Sequence, residues 1–345
     1  MSDKPERTAC DDGGSAAGFE RIIELSRGFW APRVLLTAIE LDLFTTLGKQ
    51  ELAAAELAAR LPTDVRGTEL LANALVSLEL LSLDDGRYAN QPLALSFLDA
   101  ASPQYRGHAI RLASLLWQRW SQLTSIVQQG ADGIGPDWDE KEIGVFTLAM
   151  HQGKPQAAEA LLGRLDLQGV RRIIDLGGGS GTFSEALVLA LPKAQVVLVD
   201  RPQVIAVARS RIAADLLDQR IVLVERDFIV DGVPLAGDPP APYDLALLSS
   251  VLHIYGAQEN AALMGAVYEA LEPGGRIVIR EFVAEADGTA PPEAALFAVN
   301  MLVNTTHGRC YSFDEIRGWL HKAGFGEVEL QPLDRSIGLI TARRA

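Results

Sequence analysis

Cysteine is scarce in this chain of 345 residues, and the two present, Cys10 and Cys310, stand too far apart for a metal-binding motif. Both read as reduced thiols, which places the protein in the cytoplasm. Paired histidines are missing too: His108, His151 and His321 make no H-x-x-x-H or H-x-x-E spacing, so no metal site is expected. No run of about eighteen apolar residues occurs that could span a bilayer. Met1 to Gly18 is polar, lacks the apolar core of a secretion signal, and reads as a flexible tail. Positive charge is also in deficit. With 31 basic against 45 acidic residues the net charge is −14, and the summed field repels phosphate backbones. Nucleic acid and membrane are therefore poor first expectations.

What is present is a globular composition, 48% hydrophobic and 22% charged, long enough for about two domains of roughly 150 residues. The pattern changes near residue 165. Before it, apolar residues such as Phe29, Trp30, Val34, Leu35, Ala38 and Leu41 recur at helical spacing, and this half reads all-α. After it, Arg172 to Leu176, Val196 to Asp200 and Ile221 to Val224 alternate with helical stretches, the βαβ pattern of a parallel sheet covered on both faces.

Within the first half, Glu51 to Arg60 and Arg66 to Leu80 read as helices separated by Pro62, with Thr63 or Asp64 as the cap of the second. Asp85-Gly86 then marks a tight hairpin between Leu80 to Leu83 and Arg87 to Ala89. Together these look like a winged helix. Its DNA-binding reading, a ligand-responsive regulator, is opposed by the charge: four basic residues stand against seven acidic ones from Gly48 to Leu98. Dimerisation or pocket closure suits the unit better. Pro103 to Gln129 reads as one long helix, with Trp117 and Trp120 on one face.

The strongest chemical signal is Ile173-Ile174-Asp175-Leu176-Gly177-Gly178-Gly179-Ser180-Gly181-Thr182-Phe183. An apolar strand ends in an acid, turns through glycines and enters a helix at about Thr182. Such a loop lets a ligand approach the backbone at the carboxyl end of a strand. A dinucleotide loop needs a glycine where Thr182 stands, and no phosphate-binding Lys follows. The next strand ends in Asp200, able to accept both ribose hydroxyls, and the one after it leads to Asp227 and Phe228, suited to an adenine. Adenosine without phosphates fits, and S-adenosylmethionine is the common example.

In order, Asp175 to Gly181, Val199 to Val204, Arg226-Asp227-Phe228, Val251-Leu252-His253 and Leu271 to Arg276 resemble the motifs of the small-molecule O-methyltransferases. That family includes caffeate-type, acetylserotonin-type and bacterial natural-product enzymes of secondary metabolism. The resemblance covers nearly the whole chain. It implies a flexible tail over 1–18, a winged-helix dimerisation domain over 19–104, linking helices over 105–165, and a Rossmann-like methyltransferase domain over 166–345. That domain would hold a seven-stranded α/β sheet whose last hairpin, Glu327 to Gln331 with Ile337 to Ala342, is antiparallel. Gly177, Asp200, Asp227 and Phe228 would hold S-adenosylmethionine, with Asp175 and Gly179 shaping its methionine end. Ser249 stands where plant members carry a lysine near the adenosine.

The resemblance also implies His253 as general base and Glu281 as the acid that orients it. An imidazole of ordinary pKa, about 6.5, accepts a phenolic proton at neutral pH. Phe297, Met301 and Asn304, on the helical stretch Pro292 to Val303 and its end, would line the acceptor pocket, which Met150-His151 can reach. The departures lie beside the base. The family's His-Asp-Trp is here His253-Ile254-Tyr255, and a second acid is replaced by Cys310. Tyr255 is available as a donor or second base, and His307 can compensate. A less basic His253 suits an acidic phenol or enol, or a C- or N-methyl acceptor. A small-molecule acceptor and a homodimer complete the expectation, the latter because Phe29, Trp30, Leu35 and Leu36 exceed what one helical domain easily buries.

Overall fold

The computed structural model describes residues 16–131, 138–152, 154–217, 219–234 and 242–345. Cys10 and most of the expected tail lie outside them. Of that tail, 16–18 belong to a helix, α1 (Ala16–Arg27), because the alanines there favour helix and the apolar spacing of the following turns continues back into them. The chain divides into two compact units, Met1–Arg111 and Leu112–Ala345.

The first unit continues with α2 (Trp30–Glu40), α3 (Leu43–Leu47), β1 (Leu52–Ala53), α4 (Ala54–Arg60), α5 (Val65–Ser77), β2 (Leu81–Asp84), β3 (Arg87–Asn90) and α6 (Pro92–Phe97). Asp64 caps α5 by accepting from the Gly67 N–H at 2.7 Å. Asp85 and Gly86 take φ of 44° and 74° between β2 and β3, the left-handed pair that a two-residue hairpin turn requires. The unit is not all-α. Leu52-Ala53, expected in a helix, pairs with Arg87 and Tyr88, so the sheet order is β1-β3-β2. Two residues are too few for alternation to show in sequence. Ala38, Phe44, Leu57, Leu75 and Leu81 form its core. Phe29 and Trp30 are 51% and 58% exposed, as a dimer surface would need, whereas Leu36 is buried within its own chain.

The stretch expected as one helix is two, α7 (Gly107–Trp120) and α8 (Leu123–Gln129). The break falls where the Gln122 N–H turns back tightly to Arg119, with no Gly or Pro to announce it. Next come α9 (Glu140–Gln152), α10 (Lys154–Leu162), β4 (Arg172–Leu176), α11 (Thr182–Ala190), β5 (Gln195–Asp200), α12 (Pro202–Arg211), β6 (Ile221–Glu225) and β7 (Tyr243–Ser249). A 3-10 turn over Leu252–Ile254 leads to α13 (Ala257–Ala270), β8 (Leu271–Ala284), α14 (Pro292–Asn304), β9 (Tyr311–Ser312), α15 (Phe313–Ala323), β10 (Phe325–Pro332) and β11 (Ile337–Arg344).

Seven strands run in the order β10-β11-β8-β7-β4-β5-β6, with the short β9 added in parallel to the end of β8. β8, β7, β4, β5 and β6 are parallel, and β11 and β10 close the edge antiparallel. Alternation along the strands builds two cores. Ile174, Val197, Leu248 and Ile279 pack with residues of α13 and α15. Ile173, Val196, Leu247 and Val278 pack with residues of α10, α11 and α12. Among the described residues no helix is long and apolar enough to cross a membrane.

Removal of the α5 cap by Asp64→Ala is expected to destabilise the first unit by about 1 kcal/mol, with Asp64→Asn retaining most of it. Urea unfolding followed by circular dichroism reads the difference; equal losses in both variants would show that the cap is not the cause.

Candidate active site

The carboxyl ends of β4, β5, β6 and β7 meet along one edge of the sheet, where an open α/β fold leaves room for a ligand. The glycine loop rises from β4 there. Gly177 takes φ of 69°, and a Cβ on it would come within 2.8 Å of Val251. Gly179, at φ of 60°, faces open space with no atom within 4 Å of where its Cβ would stand. This is the backbone approach that a bound cofactor needs. Beneath the loop Asp175 is buried and accepts from Ser184 Oγ at 2.6 Å, which ties the strand end to α11.

Asp200 ends β5 with its carboxylate aimed back at the loop. Oδ2 accepts from the Gly179 N–H at 2.9 Å and Oδ1 from the Arg201 N–H at 2.8 Å. After β6, Asp227 Oδ1 accepts from the N–H groups of Ile229 and Val230, and Phe228 is buried beside Gly177. Tyr255 lies edge-on to Phe228 with centroids 6.2 Å apart. Burial, and after it the nearby Asp227 carboxylate, push its phenol well above the usual range. It is therefore no base at neutral pH, and it stands on the Asp227 side of the edge. At the end of β7 the Ser249 hydroxyl is buried with no hydrogen-bond partner among the described residues. These residues fit an adenosine-bearing ligand: a cradle without a side chain, two oriented carboxylates, an aromatic wall and an unsatisfied hydroxyl.

His253 sits in the 3-10 turn that follows β7, 7% exposed, with Nδ1 2.6 Å from Glu281 Oε1. Glu281 is no surface residue. Fully buried on β8, it also accepts from the Phe282 N–H at 2.8 Å and the Leu252 N–H at 2.9 Å. Burial opposes its charge, but the His253 charge and hydrogen bond and the backbone N–H groups outweigh it, so its pKa falls below the carboxylate range. A carboxylate only accepts, so Nδ1 carries a proton, and in the neutral imidazole Nε2 holds the free lone pair.

Phe297 of α14 stands edge-on to His253 at 4.9 Å and stacks on Phe282 at 4.0 Å. Phe282 escaped the sequence reading because strand alternation alone would set it on the face opposite Glu281. Cys310 packs with this pair. Burial, and then the Glu281 charge, push its thiol up to about 12, so the second flank of His253 is uncharged. Met301 and Asn304 are buried on the same helix. Asn304 donates to the Asn300 carbonyl and to Asn300 Oδ1, leaving its own Oδ1 buried and without a partner among the described residues. Asn300 also receives the Trp120 indole N–H at 3.0 Å, a link between elements distant in sequence. His307 is exposed and lies against Gly256. Met150 is half-buried on α9, and its neighbour His151 bonds Thr182 Oγ1 through Nδ1 at 2.7 Å. No cluster of metal-ligating side chains occurs among the described residues.

The chain resembles known proteins over most of its length. Residues 126–326 match the model of an O-methyltransferase domain, and residues 23–100 that of an O-methyltransferase dimerisation domain. A 3-hydroxy-5-methyl-1-naphthoate 3-O-methyltransferase of Streptomyces sahachiroi is 34% identical, over 89% of this chain and 89% of its own. The acetylserotonin O-methyltransferase of Bos taurus is 31% identical, over 95% and 98%. Among solved structures, PigF with SAH superposes with a TM-score of 0.84 at 26% identity, over 94% and 99%.

The Glu281 carboxyl, lowered in the native state, stabilises the fold above its unfolded pKa of about 4.3 and loses that contribution as pH falls towards the native value. The stability difference between the wild type and Glu281→Gln should therefore be largest near neutrality and shrink below about pH 4.3. Denaturation at a series of pH values measures it; a difference independent of pH would count against the charged dyad.

Proposed function

The chain belongs to the O-methyltransferase family, and from that premise we propose that it methylates a hydroxyl of a small aromatic or conjugated metabolite, with S-adenosylmethionine as cofactor and His253 as general base. The buried His253–Glu281 pair carries this reading. Gly177 and Gly179 open the backbone to the cofactor, Asp200 takes its ribose hydroxyls, and Asp227 and Phe228 take its adenine. Asp175 acts through the loop it anchors. When bound, S-adenosylmethionine supplies a methyl group on a positively charged sulfur that leaves as a neutral thioether.

The protein's own task is to align the acceptor and take its proton. Glu281 holds the imidazole in one tautomer, so that Nε2 receives the hydroxyl proton as the oxygen forms its bond to the methyl carbon. The imidazolium that results keeps its salt link to Glu281. Phe297 and Met301 offer a planar apolar wall to the acceptor, and the unpartnered Asn304 Oδ1 can accept from a second polar group on it. The relatives named for a naphthoate and an acetylserotonin substrate support a fused or substituted aromatic acceptor. Exposed Phe29 and Trp30, within the match to a dimerisation domain, support a homodimer through the amino-terminal unit.

Calorimetric titration with S-adenosylhomocysteine should give binding that Asp200→Ala abolishes; no binding by the intact protein would reject the cofactor. His253→Ala should leave that affinity unchanged while lowering kcat on a phenolic acceptor by roughly 100- to 10,000-fold. An undiminished kcat would favour a C- or N-acceptor that needs no base. Trp30→Glu should shift the protein from dimer to monomer in sedimentation velocity, and a wild type that sediments as a monomer would refute the dimer.

A further inference from the structure

Arg280 takes no part in the chemistry above, yet it stands beside it. β7 and β8 are parallel, with Leu247 opposite Val278 and Ser249 opposite Arg280. Leu247 and Val278 share the core that also holds Phe183 and Leu187 of α11. Two residues further along each strand, Ser249 and Arg280 therefore lie side by side on the face that α11 covers, next to the glycine loop. Arg280 is half-buried and makes no ion pair among the described residues; its side chain gives one hydrogen bond, to Ser250 Oγ at 3.2 Å. Burial lowers its pKa, while the Glu281 and Asp334 carboxylates act in the other direction without reaching salt-bridge distance. The Ser249 hydroxyl beside it is 4% exposed and has no partner among the described residues. A guanidinium short of an anion and a buried hydroxyl short of a bond occupy one spot on the sheet edge.

The strand order says which anion belongs there. Asp200 ends β5 and Arg280 stands on β8, with β4 and β7 between them. Three strand spacings are roughly 14 Å. A ligand whose ribose binds at Asp200 and whose middle crosses the glycine loop extends its far end to Ser249 and Arg280. The geometry points to a carboxylate site formed by Arg280 and Ser249 that holds the amino-acid end of the cofactor, an assignment that rests on the cofactor reading above. Fixing both ends would hold the reactive sulfur over β4 and β7, beside the turn that carries His253. A carboxylate on the acceptor is the other source of such an anion, and binding without acceptor separates the two.

The test is calorimetry of S-adenosylhomocysteine, which has the amino-acid end, and of 5′-methylthioadenosine, which lacks it, in the absence of acceptor. Arg280→Met is expected to weaken the first by roughly 10- to 100-fold, the loss of a charged hydrogen bond, and to leave the second unchanged within about twofold. Arg280→Lys should recover part of the loss, and Ser249→Ala should reproduce a smaller one should Arg280→Met fail to fold. Equal weakening of both ligands would mean a structural role and overturn the assignment. So would unchanged S-adenosylhomocysteine affinity, including the case where only the KM of a carboxylated acceptor rises. A wild type that binds neither ligand would remove the cofactor reading and this site with it.

Discussion

A carboxylate sealed from water organises this site. Glu281 is fully buried, and an ion so placed is tolerable only where several donors converge on it. Three do, and they come from two strand ends: its own neighbour Phe282 on β8, and Leu252 and His253 in the turn after β7. The pair therefore depends on the β7–β8 register. A slip of one residue would present Arg280 where Glu281 stands and reverse the sign of the charge beneath the histidine. The His253–Glu281 contact, the imidazole tautomer and the strand pairing are one constraint.

The sheet divides the remaining work between its strands. Acidic groups, Asp200 and Asp227, stand at the end of β5 and after β6, and the cationic Arg280 stands on β8 towards the opposite end of the edge. The glycine loop between them presents backbone rather than side chains. Both faces of the sheet are covered by helices, so the loop is held from below by packing that Asp175 extends through its bond to Ser184.

Around His253 the environment is asymmetric. One flank is the charged Glu281; the other is aromatic and thiol, with Phe297 edge-on, Phe282 stacked behind it and Cys310 held protonated. The imidazole thus meets charge on one side and aromatic rings on the other.

Short-range signals were legible without a structure. Asp64 before α5, Asp85-Gly86 in its hairpin, the glycines from 177 to 181 and the alternation of β4, β5 and β7 each express a local rule, a cap, a turn, a cradle or a pleat, that a few neighbouring residues satisfy alone. They determined the α/β class, the glycine loop and the acids at its rim. What they left open was decided over long range. Leu52-Ala53 became a strand only because β3 offered an unpaired edge, and the break between α7 and α8 has no residue to mark it. Phe282 joined Phe297, Trp120 found Asn300, and Tyr255 turned to Phe228 rather than to the base. Glu281 was recognised by resemblance, but its burial, and the arrival of Arg280 beside an unsatisfied Ser249, follow from strand order and register. Those depend on which strands pair, a choice made by the whole core and not by any segment of the chain.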